Sequence, residues 1–393
     1  MIKSISTTSF VFVFVFLACV VLEATAVEVY MRPSLSYRAL YDDNFRMQNN
    51  GDSAFLEDRK LQAELGVVDP RQRLILFGAL SSLDYDTSGE FDSDDQLATL
   101  QYHFNGERFS AGGNLGFIRD GANAEQFDIS GVFLAHNVRR ETLNMSLSTQ
   151  YHLSPANLLS ASVSYSDRRY IDGADSGLLG SEYLSTDFGL YQVVSEKLQT
   201  SISIAYSEFK SPDAGTTSDS YQLAIGGDWR LSETLNLNMH GGIRRSTSVQ
   251  TFPAPQQFTS EESSNSPYFD ARLEKAFQRS RLGLSFENTL LPGSEGELLT
   301  RRSILLSFDR EQSERSSWGV ASRFSTSEDA VLDDHLLREY GSVNSYYNYK
   351  LSRQLSVGLN LRYRWQENDR DNVRQESYAS WLHIKWSADA WQF

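Results

Sequence analysis

Charged side chains recur in this chain within segments that otherwise alternate apolar and small polar residues. Arg362 and Arg364, for example, alternate with Leu361, Tyr363 and Trp365. Successive side chains of a β-strand point to opposite faces, so these charges share the face opposite the apolar residues. In a closed sheet, the charged residues predicted by this count to point inward are Arg38, Arg168, Arg230, Arg244, Arg272, Arg281, Arg323, Arg362, Arg364, Asp228, Asp270 and Glu274.

Two interpretations of these charges are open. Guanidinium groups that line an aqueous pore would attract anionic solutes or acidic sugars. Alternatively, inward arginines and carboxylates simply pair with one another and fill a wide lumen. The placement is informative in itself, because charges facing lipid are costly whereas charges facing a lumen tune selectivity.

Enzymatic and metal-binding patterns are weak in comparison. Asp333, Asp334 and His335 resemble the acidic and histidine residues of an omptin-like hydrolase site, but solvated loop charges are the better explanation. The acidic runs 42–44 and 92–95 lack the full ligand spacing of a calcium loop. The sequence shows no zinc-ligand spacing and no phosphate-binding glycine loop, so we expect no cofactor, no metal ligand and no catalytic residue.

The clearest strand that positions inward polar residues lies within residues 153–169. A polar turn at 154–157 is followed by Leu159, Ala161, Val163 and Tyr165 on one face, with serines at 160, 162, 164 and 166 on the other. An apolar face of this kind meets either a second sheet or lipid, and the hydroxyl face then meets water.

The turn itself recurs along the chain. Leu-Ser followed by two or three polar residues and then leucine appears at 153–158, 231–235 and 351–355, with a close variant at 194–198. Consecutive turns lie roughly 40 residues apart, with weaker turns near 277–280 and 309–315 in the long gap before 351. This is the period of a strand, a loop and a returning strand.

These spans predict an all-β fold: a transmembrane antiparallel up-and-down β-barrel of about 18 strands, with a range of 16–18, and a polar lumen. Short turns belong on the periplasmic side and long loops outside. This rule requires one strand, assigned to Leu143 to Tyr151, between Gln126 and Leu153. Residues 119–138 are therefore predicted to form a structured outer loop or a plug.

Residues 1–26 have the pattern of a signal peptide. Lys3 precedes an apolar run at 10–22, and Ala24-Thr25-Ala26 supplies a small-residue cleavage site. An uncleaved anchor and a lipoprotein modified at Cys19 are the alternatives. We expect residues 27–393 to form a single barrel, because no linker or shift in composition divides them.

Composition agrees with a polar-lined barrel. Aromatic residues make up 12% of the chain, with 19 Tyr and 23 Phe, although the mean hydropathy is −0.40. Aromatic girdles combined with a polar lumen explain both values. The net charge of −15 argues against binding of nucleic acid, which requires a basic surface. The excess acid is predicted to lie in outer loops, among them 42–44.

The C-terminal sequence indicates the partners of a barrel. Phe393, following Trp391, resembles the assembly signal of outer-membrane barrels, although Asp389 interrupts the alternation. We therefore expect contacts with the barrel-assembly machinery through Phe393, and with outer-membrane lipid and lipopolysaccharide.

Several short motifs also resemble a known group of proteins. Ser34 to Met47, the run 92–96, Arg119-Asp120 with Glu125, and Tyr151 to Tyr170 are similar to the outer-membrane β-barrel proteins encoded with bacterial exopolysaccharide biosynthesis and exosortase loci. The resemblance implies a barrel that serves polysaccharide export and works with export proteins. It implies no catalytic residues.

The functional hypothesis is an outer-membrane channel that assists export or passage of a saccharide. One alternative is a non-conducting scaffold or adhesin, plugged by segment 119–138. A second is a hydrolase that uses His335 with Asp333 and Asp334.

Overall fold

The structure is a computed structural model that describes residues 27–47, 51–87, 91–121, 138–171, 177–251, 259–331, 338–368 and 373–393. The predicted signal peptide, 1–26, lies outside this part of the chain. No described segment forms a helix that is long and apolar enough to span a membrane. The strands are β1 (Glu28–Asp42), β2 (Ala54–Val68), β3 (Gln72–Tyr85), β4 (Ser93–Asn105), β5 (Phe109–Gly121), β6 (Arg139–Ser154), β7 (Asn157–Ile171), β8 (Ser181–Ser195), β9 (Leu198–Ser211), β10 (Thr216–Ser232), β11 (Leu235–Thr251), β12 (Thr259–Ala276), β13 (Ser280–Pro292), β14 (Leu298–Glu311), β15 (Ser316–Asp329), β16 (Arg338–Lys350), β17 (Leu355–Asn368), β18 (Gln375–Ser387) and β19 (Trp391–Gln392).

The strands form one closed antiparallel ladder. Each strand pairs with the next along the chain, and β18 closes the ring on β1, where Leu40 lies opposite Trp381. The two-residue β19 continues the course of β18 and also pairs with β1. The prediction of an up-and-down barrel with 18 strand positions is therefore confirmed.

Serine side chains explain the recurring turns. At the β6–β7 turn the Ser154 Oγ accepts hydrogen bonds from the backbone N–H groups of Ala156, at 3.2 Å, and Asn157, at 3.1 Å. Ser352 accepts from Gln354 and Leu355 in the same way. A serine that satisfies two turn amides fixes a short reversal, which accounts for its repetition at one end of the barrel.

Proline in the first strand is accommodated at a break in the ladder. Pro33 pairs with Ala63 on the β2 side. On the other side, the pairing of β1 with β18 begins at Ser34, and the pairing with β19 ends at Met31. The missing N–H of Pro33 thus falls where the neighbouring strand is interrupted, so no ladder donor is lost.

Register also settles strand direction and facing where the sequence pattern was ambiguous. β5 and β6 pair directly from Phe109 with Tyr151 to Gly121 with Arg139, which confirms a single strand in the segment predicted as Leu143 to Tyr151. The predicted loop or plug at 119–138 begins inside β5, and its residues 122–137 lie outside the described residues. In β3, whose alternation is poor, Leu76 is 46% exposed and faces outward.

The outer face of the barrel is apolar. Leu61, Leu80, Ile225, Ile243 and Leu382 are between 51% and 70% exposed, and similar side chains continue on the other strands. A continuous apolar surface of this extent is stable only against lipid. Since the closed ladder pairs its backbone within itself, the barrel spans a membrane.

Glycines allow β10 and β11 to approach closely. A Cβ at Gly242 would overlap the Leu223 carbonyl oxygen, whereas a Cβ at the adjacent Gly241 would meet nothing closer than the Phe269 ring, at 3.8 Å.

We expect Gly242→Val to prevent barrel formation and Gly241→Val to permit it. The heat-modifiable gel mobility of the folded barrel measures both. Equal mobility shifts for the two variants would contradict the close approach.

Candidate functional site

The twelve charged residues predicted to point inward share one face of the barrel wall. Arg244 follows Ile243, which is 70% exposed, and Arg230 lies between Trp229 and Leu231, which are also exposed. Residues directly opposite each other on paired strands lie on the same face, so the other strands have the same inward and outward alternation. Arg272, for example, pairs with Asn238. All twelve lie on the face opposite the apolar exterior. Their role in lining a conducting path stays a prediction.

Five of these residues surround one cavity. Its volume is about 930 Å³, and it lies beside the turn that joins β8 to β9. Short turns mark the periplasmic end of such barrels, so we name this cavity the periplasmic vestibule. The predicted site residues around it are Asp228, Arg230, Asp270, Arg272 and Glu274, and Glu196, Lys197 and Glu287 also line it.

Charge pairs in the vestibule are exposed. Arg272 Nη2 lies 2.7 Å from Glu274 Oε1, with 66% of the arginine side chain exposed. Exposed pairs of this kind contribute about 1 kcal/mol or less to stability. Carboxylates outnumber basic groups along the wall, with five acids against three bases. The vestibule is therefore a net acidic aqueous chamber, which does not suit the attraction of anions predicted for an arginine-lined pore.

A second cluster lies near the other end, where β1 meets β18 and β17. The Asp42 carboxylate is 2% exposed and lies 2.9 Å from Arg364 Nη2 and 3.3 Å from Arg362 Nη2. Ser377 Oγ donates a 2.6 Å hydrogen bond to it. Asp42 was predicted to be part of an acidic outer loop. That prediction is wrong, because register brings the end of β1 beside two arginines more than 300 positions away.

The remaining predicted residues are separated from both clusters. Arg38 pairs with Asp58 at 2.9 Å, and Arg244 is held by Gln222 and Asn288. Arg168, Arg281 and Arg323 form no ion pair with any described residue. Sequence reasoning missed the buried pair Arg140–Asp120, at 2.6 Å, because Asp120 fell in the predicted loop 119–138 and Arg140 precedes the strand predicted from Leu143.

The first outer loop folds back against the inner wall. Arg364 Nη2 donates to the Phe45 carbonyl at 3.3 Å, and Gln366 Nε2 donates to that of Met47 at 3.3 Å. The Phe45 ring packs edge-on against Phe91 with centroids 5.2 Å apart, and the Arg46 guanidinium lies over Phe91. We call residues 43–47 the wedge. It narrows the barrel at the long-loop end.

A second loop lies across the same end. Residues 293–297, which we call the bridge loop, join β13 to β14, yet the Ser294 carbonyl accepts a 2.8 Å hydrogen bond from Leu179, which precedes β8. On the other side, Arg338 at the start of β16 lies 3.4 Å from Glu295 and 3.6 Å from Glu297. Contacts with strands on two sides of the ring place this loop across the mouth.

The enzymatic alternative gains no site from the structure. Asp333, Asp334 and His335 lie outside the described residues. Among the described residues, no group of three or more His, Cys, Asp or Glu side chains is arranged to hold a metal ion.

Comparison with known proteins returned solved structures alone. No family model matches the chain, and no curated relative matches it. The similar solved structures include the copper transporter OprC, which is 11% identical, with a TM-score of 0.48. The match covers 88% of this chain, and the chain spans 63% of the length of OprC. They also include OccAB3 of Acinetobacter baumannii, which is 10% identical, with a TM-score of 0.47. The match covers 93% of this chain and 99% of OccAB3. OccK5 of Pseudomonas aeruginosa is 10% identical, with a TM-score of 0.47. The match covers 92% of this chain and 98% of OccK5.

The closed ladder and the apolar exterior define the class of this protein. Bacterial barrels of this kind, with an even number of strands, short turns at one end and long loops at the other, reside in the outer membrane. The chain is an outer-membrane β-barrel.

The buried Asp42 cluster generates a stability prediction. Asp42→Asn leaves Arg364 and Arg362 without their shared carboxylate, and removing one partner of a buried ion pair costs about 3–5 kcal/mol. Glu274→Gln, in an exposed pair, should cost about 1 kcal/mol or less. Urea unfolding of the reconstituted barrel measures both free energies. Comparable losses for the two variants would show that Asp42 is not buried as described.

The bridge loop generates a pH prediction. Burial raises the pKa of the Glu297 carboxyl, so this group takes up a proton at a higher pH than an exposed glutamate does. Acidification should therefore weaken its ion pair with Arg338 and release the loop. A cysteine replacing the fully buried Ser294 should then react faster with a water-soluble thiol reagent, relative to a cysteine at exposed Asp213.

The matched variants for this test lie in the same loop. Glu297→Gln should give fast labelling at every pH, whereas Glu295→Gln should retain the pH response. A Glu297→Gln protein that still responded to pH as the parent does would contradict the assignment.

Proposed function

We propose that this barrel is a channel for a hydroxyl-rich saccharide, entered from the periplasmic vestibule and gated at the opposite end by the bridge loop and the wedge. The observation that carries the proposal is the vestibule itself. It is about 930 Å³ in volume and is lined by charged and amide side chains on the inner face of a closed barrel. An 18-strand barrel is wide enough to enclose an aqueous passage.

The chemistry of the wall supports a polar but not strongly anionic solute. Asn236 and Asn238 supply amide groups beside the carboxylates and arginines. An amide both donates and accepts hydrogen bonds, guanidinium groups donate them and carboxylates accept them, so together these groups can bind sugar hydroxyls. Further along, the inner face of β7 carries the serine row 160–166. Acidic sugars would be repelled by the excess of carboxylates at the entrance.

The resemblance in short motifs to exopolysaccharide-associated barrels agrees with this proposal, which includes cooperation with polysaccharide export proteins. The proposal also includes delivery by the barrel-assembly machinery through Phe393. This ring is 80% exposed, while the backbone N–H of Phe393 donates to Val29 at 3.0 Å. The C-terminal residue is thus anchored by its backbone and presents its side chain outward.

A second candidate function is a non-conducting scaffold or adhesin. The observation that favours it is the bridge loop, which contacts the segment before β8 and the start of β16 at once and lies across the mouth. In that case the bridge loop and the wedge close the barrel, and closure by segment 119–138 stays a prediction. A substitution at Gly296 distinguishes the two functions, because it would displace the bridge loop. Gly296 has a φ of 86°, and a Cβ there would overlap Ala214.

Planar-bilayer recording tests the channel. We expect currents that prefer cations, because the vestibule is net acidic, and partial block of these currents by neutral oligosaccharides added from the vestibule side. Asp228→Lys combined with Glu274→Lys should shift the reversal potential toward anion preference. Absence of current in the parent protein and in Gly296→Val, in which the bridge loop is displaced, would refute conduction and favour the scaffold.

A further inference from the structure

The barrel wall contains a seam that the ladder does not close. β12 and β13 pair from Ala276 with Arg281 to Ala271 with Phe286. Beyond these pairs β12 continues to Thr259 and β13 to Pro292, but no ladder pair joins the two segments among the described residues. The outer flanks are intact, because β12 stays paired with β11 to its first residue and β13 with β14 to its last.

Proline contributes to the break in the pairing on the β12 side. The Pro267 carbonyl accepts a 3.2 Å hydrogen bond from the Asn288 side chain on β13. In an antiparallel strand the N–H and C=O of one residue point toward the same neighbour, so the nitrogen of Pro267 also faces β13. It carries no hydrogen, and β13 therefore receives no ladder bond from this position.

Side chains take the place of part of the missing ladder. Arg244 Nη2 donates to the Asn288 carbonyl at 3.2 Å, and Arg244 Nη1 donates to Asn288 Oδ1 at 3.1 Å. Arg244 is 4% exposed and Asn288 is 5% exposed. Two polar side chains thus cap seam-facing backbone groups that would be costly to leave unpaired within a membrane. A seam closed by side chains can open by rotamer changes, whereas a continuous ladder would have to break several backbone bonds.

The outer face beside the seam has a groove. It has a volume of about 790 Å³, within the range of small-molecule sites, and it reaches Pro267 at its β12 edge. Its wall is mainly apolar, with Phe188, Ile204, Leu223 and Ile243 on the lipid-facing side. The exposed Arg245 lies at one end of this groove, just beyond the apolar belt toward the long loops.

We propose that the groove and the seam form a lateral port for an amphipathic molecule with one acyl chain and an anionic head group. The groove faces the membrane, so an acyl chain is its natural occupant, and Arg245 supplies the charge that pairs with a carboxylate or a phosphate. Displacement of the Arg244–Asn288 contact connects the groove to the lumen. This inference is independent of saccharide passage, since it concerns the wall and not the mouth of the barrel.

Photo-crosslinking tests the groove. The full-length protein is reconstituted in phosphatidylcholine vesicles that contain a diazirine fatty acid, or the matching fatty alcohol as the neutral arm. We expect the acid to label the groove strands several-fold more than the rest of the apolar belt, and to label the inward Tyr268 as well. Arg245→Gln should lower labelling by the acid to the level of the alcohol. Labelling spread evenly around the belt would overturn the proposal.

Tethering tests the seam. Pro267→Cys with Leu290→Cys places two thiols at positions that the ladder would join if it continued, and the described residues contain no other cysteine. A short bifunctional thiol crosslinker between them should abolish labelling of Tyr268 while the groove remains labelled. Leu273→Cys with Leu284→Cys is the control, because the ladder already joins this pair. The same reagent on this variant should change neither the labelling of Tyr268 nor the labelling of the groove.

A variant that restores the missing donor gives a second readout. Pro267→Thr returns an N–H on the seam side, so we expect slower amide hydrogen exchange in 287–291 and less label on Tyr268. Labelling of Tyr268 that persisted in the tethered protein would show that the probe enters by the mouth, which would overturn the lateral port.

Discussion

The structure depends on one constraint: within lipid, each backbone N–H and C=O must find a partner inside the protein. The ladder satisfies this constraint everywhere except along the seam between β12 and β13, and the pairing of β18 with β1 removes the last open edge. Irregular residues fall where the ladder tolerates them. Pro33 lies at the break between β18 and β19, and Pro267 lies at the seam, where Asn288 and Arg244 take over the role of the missing backbone bonds.

Closure also decides where charge can be placed. With lipid outside, charged groups in the apolar belt must turn inward, and the lumen therefore collects both signs of charge. The two ends treat them differently. In the periplasmic vestibule the pairs are exposed and weak, so they can exchange partners with a solute. Around Asp42 they are buried, and there they hold the wedge and the ends of three strands in place.

Local patterns predicted much of this architecture. Alternation in β7 and the serine turns needed no information beyond nearby residues, because each is a short-range effect of strand pleating or of a side chain bonding its own turn. The facing of β3 could not be predicted, since Leu74, Leu76 and Ile75 are all apolar and register with Leu65 of β2 decides between them. The partners of Asp42, the bridge loop and the seam depend on register between distant segments, which no local pattern carries.

The inward direction of the twelve charged residues followed from alternation alone, but their grouping did not. Sequence spacing cannot distinguish Arg272, in an exposed chamber, from Arg364, in a buried cluster, because both alternate with apolar neighbours. What separates them is height along the barrel and the loops that fold over one end. The acidic balance of the vestibule emerged in the same way, from residues of several strands and one turn.

The central claim is that one face of each strand meets lipid and the other meets water. Nitroxide side chains placed singly at successive positions from Leu158 to Asp167 of β7 test it most directly, through collision with oxygen dissolved in lipid and with a nickel chelate dissolved in water. The account predicts two profiles of period two in opposite phase, with the serine positions 160, 162, 164 and 166 accessible to nickel. Profiles without that period, or in phase with one another, would contradict it.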